Sequence, residues 1–311
     1  MNKKKKTSIG GQALIEGIMM LGPNKSAVAV RRADGTIELK TENIKLLRER
    51  NKFCALPFIR GIVGLYESMK RGIKALNYTS SVAIQDTDEE PDKFEKWLSE
   101  KFGNDAVEKA VMGIATVFGV AIPIVLFIFL PTLLAGFLDS YIGSGIWRNL
   151  TEGALRVIVF LLFMFSISRM KDMKRVFSYH GAEHKSIFCY EAGEELTVEN
   201  VRRFPKEHPR CGTSFLFSVM IISVLVFSVV RWSNPFVRMA LRLVLLPVVV
   251  GISYEVNRLV GRYDNPVTRF LRAPGLWFQT FTTFEPDDSM IEVGIAALSA
   301  VIPENENDDN W

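Results

Sequence analysis

Cysteine and histidine are scarce in this 311-residue chain, at three of each. The cysteines, Cys54, Cys189 and Cys211, are odd in number and far apart, which excludes a small disulfide-stapled secreted module and fits reducing surroundings. There is no internal repeat, Walker loop or Rossmann fingerprint, so the common phosphate and dinucleotide sites are not expected. Charge of neither sign dominates: Lys and Arg number 38 against 34 Asp and Glu, a net +4, and no nucleic-acid partner is expected. With 48% hydrophobic residues the chain is not disordered. A mean hydropathy of +0.16 then averages a charged part with a much more apolar one.

The apolar part is easy to find. Met112 to Leu138 carries no charge and includes AIPIVLFIFLPTLLAGFL, longer than the roughly 20 residues a bilayer core requires. Pro123 and Pro131 would break a soluble helix but only kink a membrane helix whose neighbours satisfy the freed carbonyls. A second span is expected over Gly153 to Met170, with Arg156 and Glu152 as an i,i+4 pair at the interface. A third runs from Thr213 to Val230 and a fourth from Phe236 to about Val256. The fourth contains Arg238 and Arg242, which either snorkel outward beside the Arg231 to Pro235 turn or face a polar cavity. The segment Asp139 to Gly153 holds one basic residue and Arg169 to Gly212 holds nine, so the positive-inside rule puts both termini and the 170–212 loop in the cytoplasm. The opening MNKKKK is not read as a cleaved signal, because the apolar stretch after it is short and contains Glu16. The fold class expected is a mainly α polytopic membrane protein with about four transmembrane helices and a cytoplasmic α+β portion. Its regions are 1–110, a membrane region 111–256 with the loop 170–212, and 257–311.

In the N-terminal region, SAVAVRRADGTIELKTE (Ser26 to Glu42) reads as a small hairpin turning at Asp34-Gly35, a dipeptide that tolerates positive φ. Phe58, Ile62, Leu65, Met69 and Ile73 form one stripe of an amphipathic helix lying on the membrane or against other helices. Asp86 to Asp92 reads as a solvated loop. SMIEVGIAALSAVI after Asp287-Asp288 reads as a closing helix with carboxylates in its first turn, and the last eight residues are expected to fray.

All three histidines lie between His180 and His208. His180-Gly181-Ala182-Glu183-His184 is an HxxEH sequence, and on a helix positions i and i+4 differ by about 40°, so both imidazoles reach one ion. Glu183 is placed to take a proton from water, as in inverted zincin arrangements. His208-Pro209-Arg210-Cys211 adds an imidazole and a thiol at a chelating spacing, and zinc accepts both donor types. If His208 and Cys211 both ligate, the site is closed and structural; if one does, a position stays open and Glu183 acts as general base. Glu191 and Glu255 are further third-ligand candidates. Arg202, Arg203, Lys206 and Arg210 would suit anionic headgroups or a phosphorylated substrate, or simply reflect positive-inside bias. The glycine-rich start with Gln12 and Glu16 either packs against the histidines, lending one of these side chains, or is a turn before a buried helix with Glu16 held by an arginine.

GGQALIEGIMM (Gly10 to Met20), YHGAEHK (Tyr179 to Lys185), HPRCGTSF (His208 to Phe215), and TTFEPDD with IEVGIAAL (Thr282 to Leu298) together resemble the YqhQ-like family of bacteria. The resemblance covers nearly the whole chain, departing at Leu21 and Phe284, where the family often has a basic residue. It implies a membrane-bound, metal-dependent protein, in keeping with the multi-pass cell-membrane topology and divalent metal read above, but supplies no reaction. The leading expectation is a membrane-bound, zinc-dependent hydrolase with Glu183 as catalytic base and His180, His184, His208 and Cys211 as metal ligands. The partners expected are membrane lipid and a membrane protein. The alternative is a non-catalytic scaffold or regulator of membrane machinery with a structural metal. A transporter ranks below both, since the spans contain almost no carboxylates.

Overall fold

The computed structural model describes residues 6–85, 104–138, 141, 146–228, 234–305 and 308–309. The acidic loop of 86–92 and most of the 231–235 turn lie outside these, as does the side chain of Arg238. The chain divides into two compact units, one formed by 1–86, 164–223 and 245–311, the other by 87–163 and 224–244. The three segments that read as separate regions along the chain, N-terminal, 170–212 and C-terminal, thus come together in the first unit.

The first unit begins with four antiparallel strands in chain order: β1 (Gly10–Leu14), β2 (Gly17–Leu21), β3 (Lys25–Arg31) and β4 (Ile37–Asn43). The expected hairpin is β3–β4, turning with Gly35 at φ +85°, where a side chain would be strained, and with the Thr36 N–H bonded to Asp34 Oδ1. The expectation of a helix after the glycines fails: Gly10 to Leu21 is a second hairpin with a two-residue turn at Ile15-Glu16. The reason lies in β2, which is covered on both faces and so reads as a continuous apolar run without the alternation that betrays a strand. Ile18, Met20, Ala27 and Ala29 face one core, where Lys171–Glu191 and Asp288–Ser299 pack. Leu14 and Met19 face the other way with Ala75 of α1 (Ile59–Gln85). The apolar stripe of α1, including Phe58, Ile62, Met69 and Ile73, is exposed, on the opposite side from Ala75 and Val82.

Besides single turns at Leu47–Arg50 and Lys52–Ala55, the other helices among the described residues are α2 (Asn104–Ile124), α3 (Leu130–Phe137), α4 (Ile146–Ser168), α5 (Lys171–Glu191), α6 (Val198–Arg202), α7 (Gly212–Ser228), α8 (Pro235–Arg262), α9 (Pro266–Gln279) and α10 (Asp288–Ser299). Among the described residues, three stretches are long and apolar enough to cross a membrane: Val117–Phe137, Trp147–Ser168 and Met239–Arg262. The 17 described residues of α7 are apolar but shorter. The C-terminus is not frayed throughout, because Asp309 is fully buried, accepting from the Thr7 hydroxyl and from Tyr190.

In the second unit the Glu152–Arg156 i,i+4 pair is present at 3.5 Å, and Arg242 sits in polar surroundings, the second of its two readings. Neither Arg156 nor Arg242 snorkels: both are buried. The Arg242 guanidinium grips Glu152 with two nitrogens, and Thr132 donates to the same carboxylate at 2.6 Å. Arg156 lies only 3.5 Å from Glu152 and is engaged elsewhere, donating from Nε to the Phe127 carbonyl at 2.8 Å. That carbonyl is four residues before Pro131, whose missing N–H leaves it without its helical partner. The backbone is π-helical over Val125–Phe129, and the arginine restores the bond that the proline removes.

Candidate metal centre

α5 has a polar sequence yet is buried without interruption from Phe177 to Ile187. Small residues let neighbours close on it. A Cβ at Gly181 would lie 2.1 Å from the Phe284 carbonyl, and one at Gly11 would lie 2.8 Å from Glu183 Cδ. The Thr282 to Pro286 segment and strand β1 therefore press directly onto the HxxEH turn.

The two imidazoles are oriented by carbonyls. His180 donates from Nδ1 to Thr282 O at 2.7 Å, and His184 donates from Nδ1 to Lys206 O. Each Nε2, once it is free of a proton, then has a lone pair to offer, as in ligating histidines whose other nitrogen is held by a backbone carbonyl. His180 Nε2 lies 3.1 Å from Cys211 Sγ, while His184 Nε2 is buried with no hydrogen-bond partner. One ligand atom from each of His180, His184 and Cys211 falls within 4.8 Å of the others, and all three residues are buried.

Cys211 precedes the first turn of α7, where its sulfur accepts from the Thr213 N–H at 3.3 Å. Burial pushes this thiol's pKa up, yet the charges of His180 and His184 more than offset it and hold the thiol well below its usual range. Burial disfavours charge on His180, but the neighbouring Cys211 and Glu183 raise its pKa to about 9. Two imidazoles and an easily ionised thiol are the donor set that suits zinc, and three protein ligands leave a fourth position. The orphaned Nε2 of His184 makes the same case from this structure alone, since a buried polar atom otherwise goes unpaired at a cost.

Glu183 is buried beside this group. Burial raises its pKa against the pull of His180 and His184, and the Gly11 N–H bonds to the carboxylate. Its Oε2 has no partner. The glycine-rich opening thus does pack on the histidines, but through the Gly11 backbone. Gln12 packs against Gly72 of α1, and Glu16 is held by Arg175 and Tyr179.

His208 stands apart from the three. Its Nδ1 accepts the Arg210 N–H at 3.3 Å, which puts the proton on Nε2, 3.5 Å from Glu191 Oε2. Burial lowers its pKa to about 4 although Glu191 opposes the shift. Glu191 is occupied by Thr7 and Arg210, and Glu255 pairs with Arg60, so neither is brought to the group. Of the surrounding basic residues, Arg202 pairs with Asp288, Arg203 with Glu194 and Arg210 with Glu191. Gln279, which no sequence pattern marks, accepts the His208 N–H at 2.8 Å and donates to its carbonyl at 2.8 Å and to Ser214 Oγ at 2.7 Å. It ties α9 to the loop before Cys211.

A mainly helical protein with apolar membrane-length helices, a small N-terminal sheet and a buried His, His, Cys group is the class these features define. The chain belongs to the DUF1385 family, described as a protein of unknown function, whose sequence pattern matches residues 56–304. It is 33% identical over 299 residues to the uncharacterized protein YqhQ of Bacillus subtilis (strain 168), across 94% of this chain and 92% of that one. No solved structure matches it.

Proposed function

We propose that this chain is a membrane-bound, metal-dependent hydrolase working at the cytoplasmic membrane surface, with His180, His184 and Cys211 holding one divalent ion of zinc type. The observation that carries the reading is the partnerless Oε2 of Glu183 beside three convergent ligand atoms, a buried proton acceptor that folding alone does not use. A divalent ion bound there supplies Lewis acidity toward water and toward a carbonyl or phosphoryl oxygen. The protein's own residues do the rest. Thr282 and Lys206 fix both imidazole tautomers with the Nε2 lone pairs available. The Gly11 N–H steadies one oxygen of Glu183 while the other accepts a proton from water and later returns it, and burial gives the carboxylate the raised proton affinity this exchange requires.

Glu183→Gln keeps the volume and removes the proton acceptor. Metal content and unfolding temperature are expected to stay at the parent's level while complementation of a deletion strain fails. A Glu183→Gln protein that complements fully would end the hydrolase reading. The second reading, a scaffold with a structural metal, is favoured by burial: His180, Glu183, His184 and Cys211 are each at most 9% exposed. It predicts full complementation by Glu183→Gln.

The topology that goes with this proposal has four spans, α7 completing the third, and both termini in the cytoplasm. Reporter fusions at Gly193 and after the C-terminus are expected to read inside and a fusion at Asn234 outside. An external Gly193 would put the centre in the wrong compartment.

A further inference from the structure

Phe58 meets α8 at the middle of its apolar stretch. A Cβ built on Gly251 would lie 3.0 Å from the Phe58 carbonyl, and one built on Gly61 would lie 2.5 Å from the Tyr254 side chain. The pairs 58 with 251 and 61 with 254 advance by equal steps, so the chain reversal and the first turn of α1 lie against this half of α8. Gly251 stands eleven residues before Arg262, where the span ends. At 1.5 Å per residue that is about 16 Å, comparable to half of a roughly 30 Å hydrocarbon core. Met69 lies eleven residues beyond Phe58, and the next residues of α1 are Lys70 and Arg71, followed by Lys74. Between Phe58 and Lys70 the only charges of α1 are Arg60, paired with Glu255, and the buried Glu67, paired with Arg71.

The segment leading to this point is built for the same depth. Phe53 to Ile59 (FCALPFI) has no charge, and its large side chains face outward, Phe53 being 61% exposed, Leu56 47% and Phe58 52%. The chain reverses at Pro57-Phe58, with Phe58 at φ +65°, a strained value for a bulky residue. Several of its N–H groups are satisfied locally: Cys54 donates to Asn51, Leu56 to Phe53, Ile59 to Pro57, and Arg60 to Leu56. The Phe58 N–H donates to Glu255 Oε1 at 3.1 Å, and the Arg60 guanidinium clasps the same carboxylate. A carboxylate on a membrane-length helix, three residues before Arg258, is expensive in lipid unless paired. Here both its partners come from this reversal.

We propose that residues 53–62 form a re-entrant element, entering the bilayer from the Arg262 side, reversing within that leaflet and leaving as the first turns of α1, with lipid acyl chains as the occupant of the exposed apolar surface. Exposed irregular backbone is excluded from hydrocarbon, but a short reversal that pairs most of its N–H groups and leans on a spanning helix is tolerated. Lys52, at the start of the descending limb, reaches the headgroups by snorkelling. The inference stands apart from the metal centre and from its chemistry.

Cys54 is a native probe at the tip, since Cys189 and Cys211 are buried. The full chain would be reconstituted in phosphatidylcholine and phosphatidylglycerol vesicles and a nitroxide attached at Cys54. Its collision rates with oxygen and with a water-soluble nickel chelate would then be compared. Oxygen is expected to win several-fold at Cys54, while a label on Lys70→Cys in a Cys54→Ala background favours the nickel chelate. Nickel access at Cys54 would place the tip in water and overturn the proposal. Low access to both reagents would mean that protein, from a second copy or another partner, covers the surface, and would overturn it equally.

Discussion

Replacing His184 by alanine is expected to strip the protein of its divalent metal, from about one zinc ion per purified chain to a small fraction, with affinity falling about 100-fold or more, near 3 kcal/mol. His184 Nε2 is buried with no hydrogen bond of its own and faces only the Cys211 thiol, another ligand of the same ion. His180→Ala and Cys211→Ser should act in the same direction. His208→Ala is expected to behave differently. That ring bonds to Arg210 and faces Glu191, so its loss should retain the metal and lower stability through the buried Glu191 and Arg210 that it packs beside. Elemental analysis of the four variants after gel filtration reads this directly. Equal metal content in His184→Ala and parent would mean that the HxxEH pattern is coincidental. Metal lost with His208→Ala as well would make the centre a closed four-ligand site.

Glu152→Met should destabilise the second unit by roughly 3–5 kcal/mol, because it leaves the buried Arg242 guanidinium without its counter-charge. The measurement is denaturant unfolding in detergent, with Arg242→Met as the reciprocal variant. The double variant should recover much of the loss, since removing both charges of a buried pair is far less costly than removing one. Arg156 is not expected to rescue Glu152→Met, being committed to the Phe127 carbonyl. A double variant as unstable as either single one would show that the pair does not act as a unit.

Periodicity and charge counting read the long helices and the β3–β4 hairpin well, because apolar length and an Asp-Gly turn are local properties. The same is true of His180 and His184, whose shared helical face follows from spacing alone. The β1–β2 hairpin is not legible in this way: a strand buried on both faces looks like any apolar run, and its place follows from α5 and α10, both far downstream in the chain. Glu152 and Arg242 are 90 residues apart, so the nearby Arg156 is the partner that spacing suggests. At the centre, the HPRC spacing places His208 and Cys211 equally close to an ion. Only the Gln279 bonds to His208 and the tautomer set by Arg210 separate them. The backbone contributions of Gly11, Lys206 and Thr282 have no residue-type signature at all.

The interlacing of the first unit also sets a timetable. β1 and β2 are synthesised first, yet their core is completed by α10, and Thr7 and Ser8 bond to Asp309. Between Leu21 and Asp288 lie all the membrane-length helices. At roughly 5–20 residues per second the strands wait roughly 10–50 s for their last partner. The helices therefore have time to insert before the candidate centre can close. A nascent chain stalled before α10 carries the HxxEH turn without the helix that packs behind it, so the proposed ion would be taken up only after release from the ribosome.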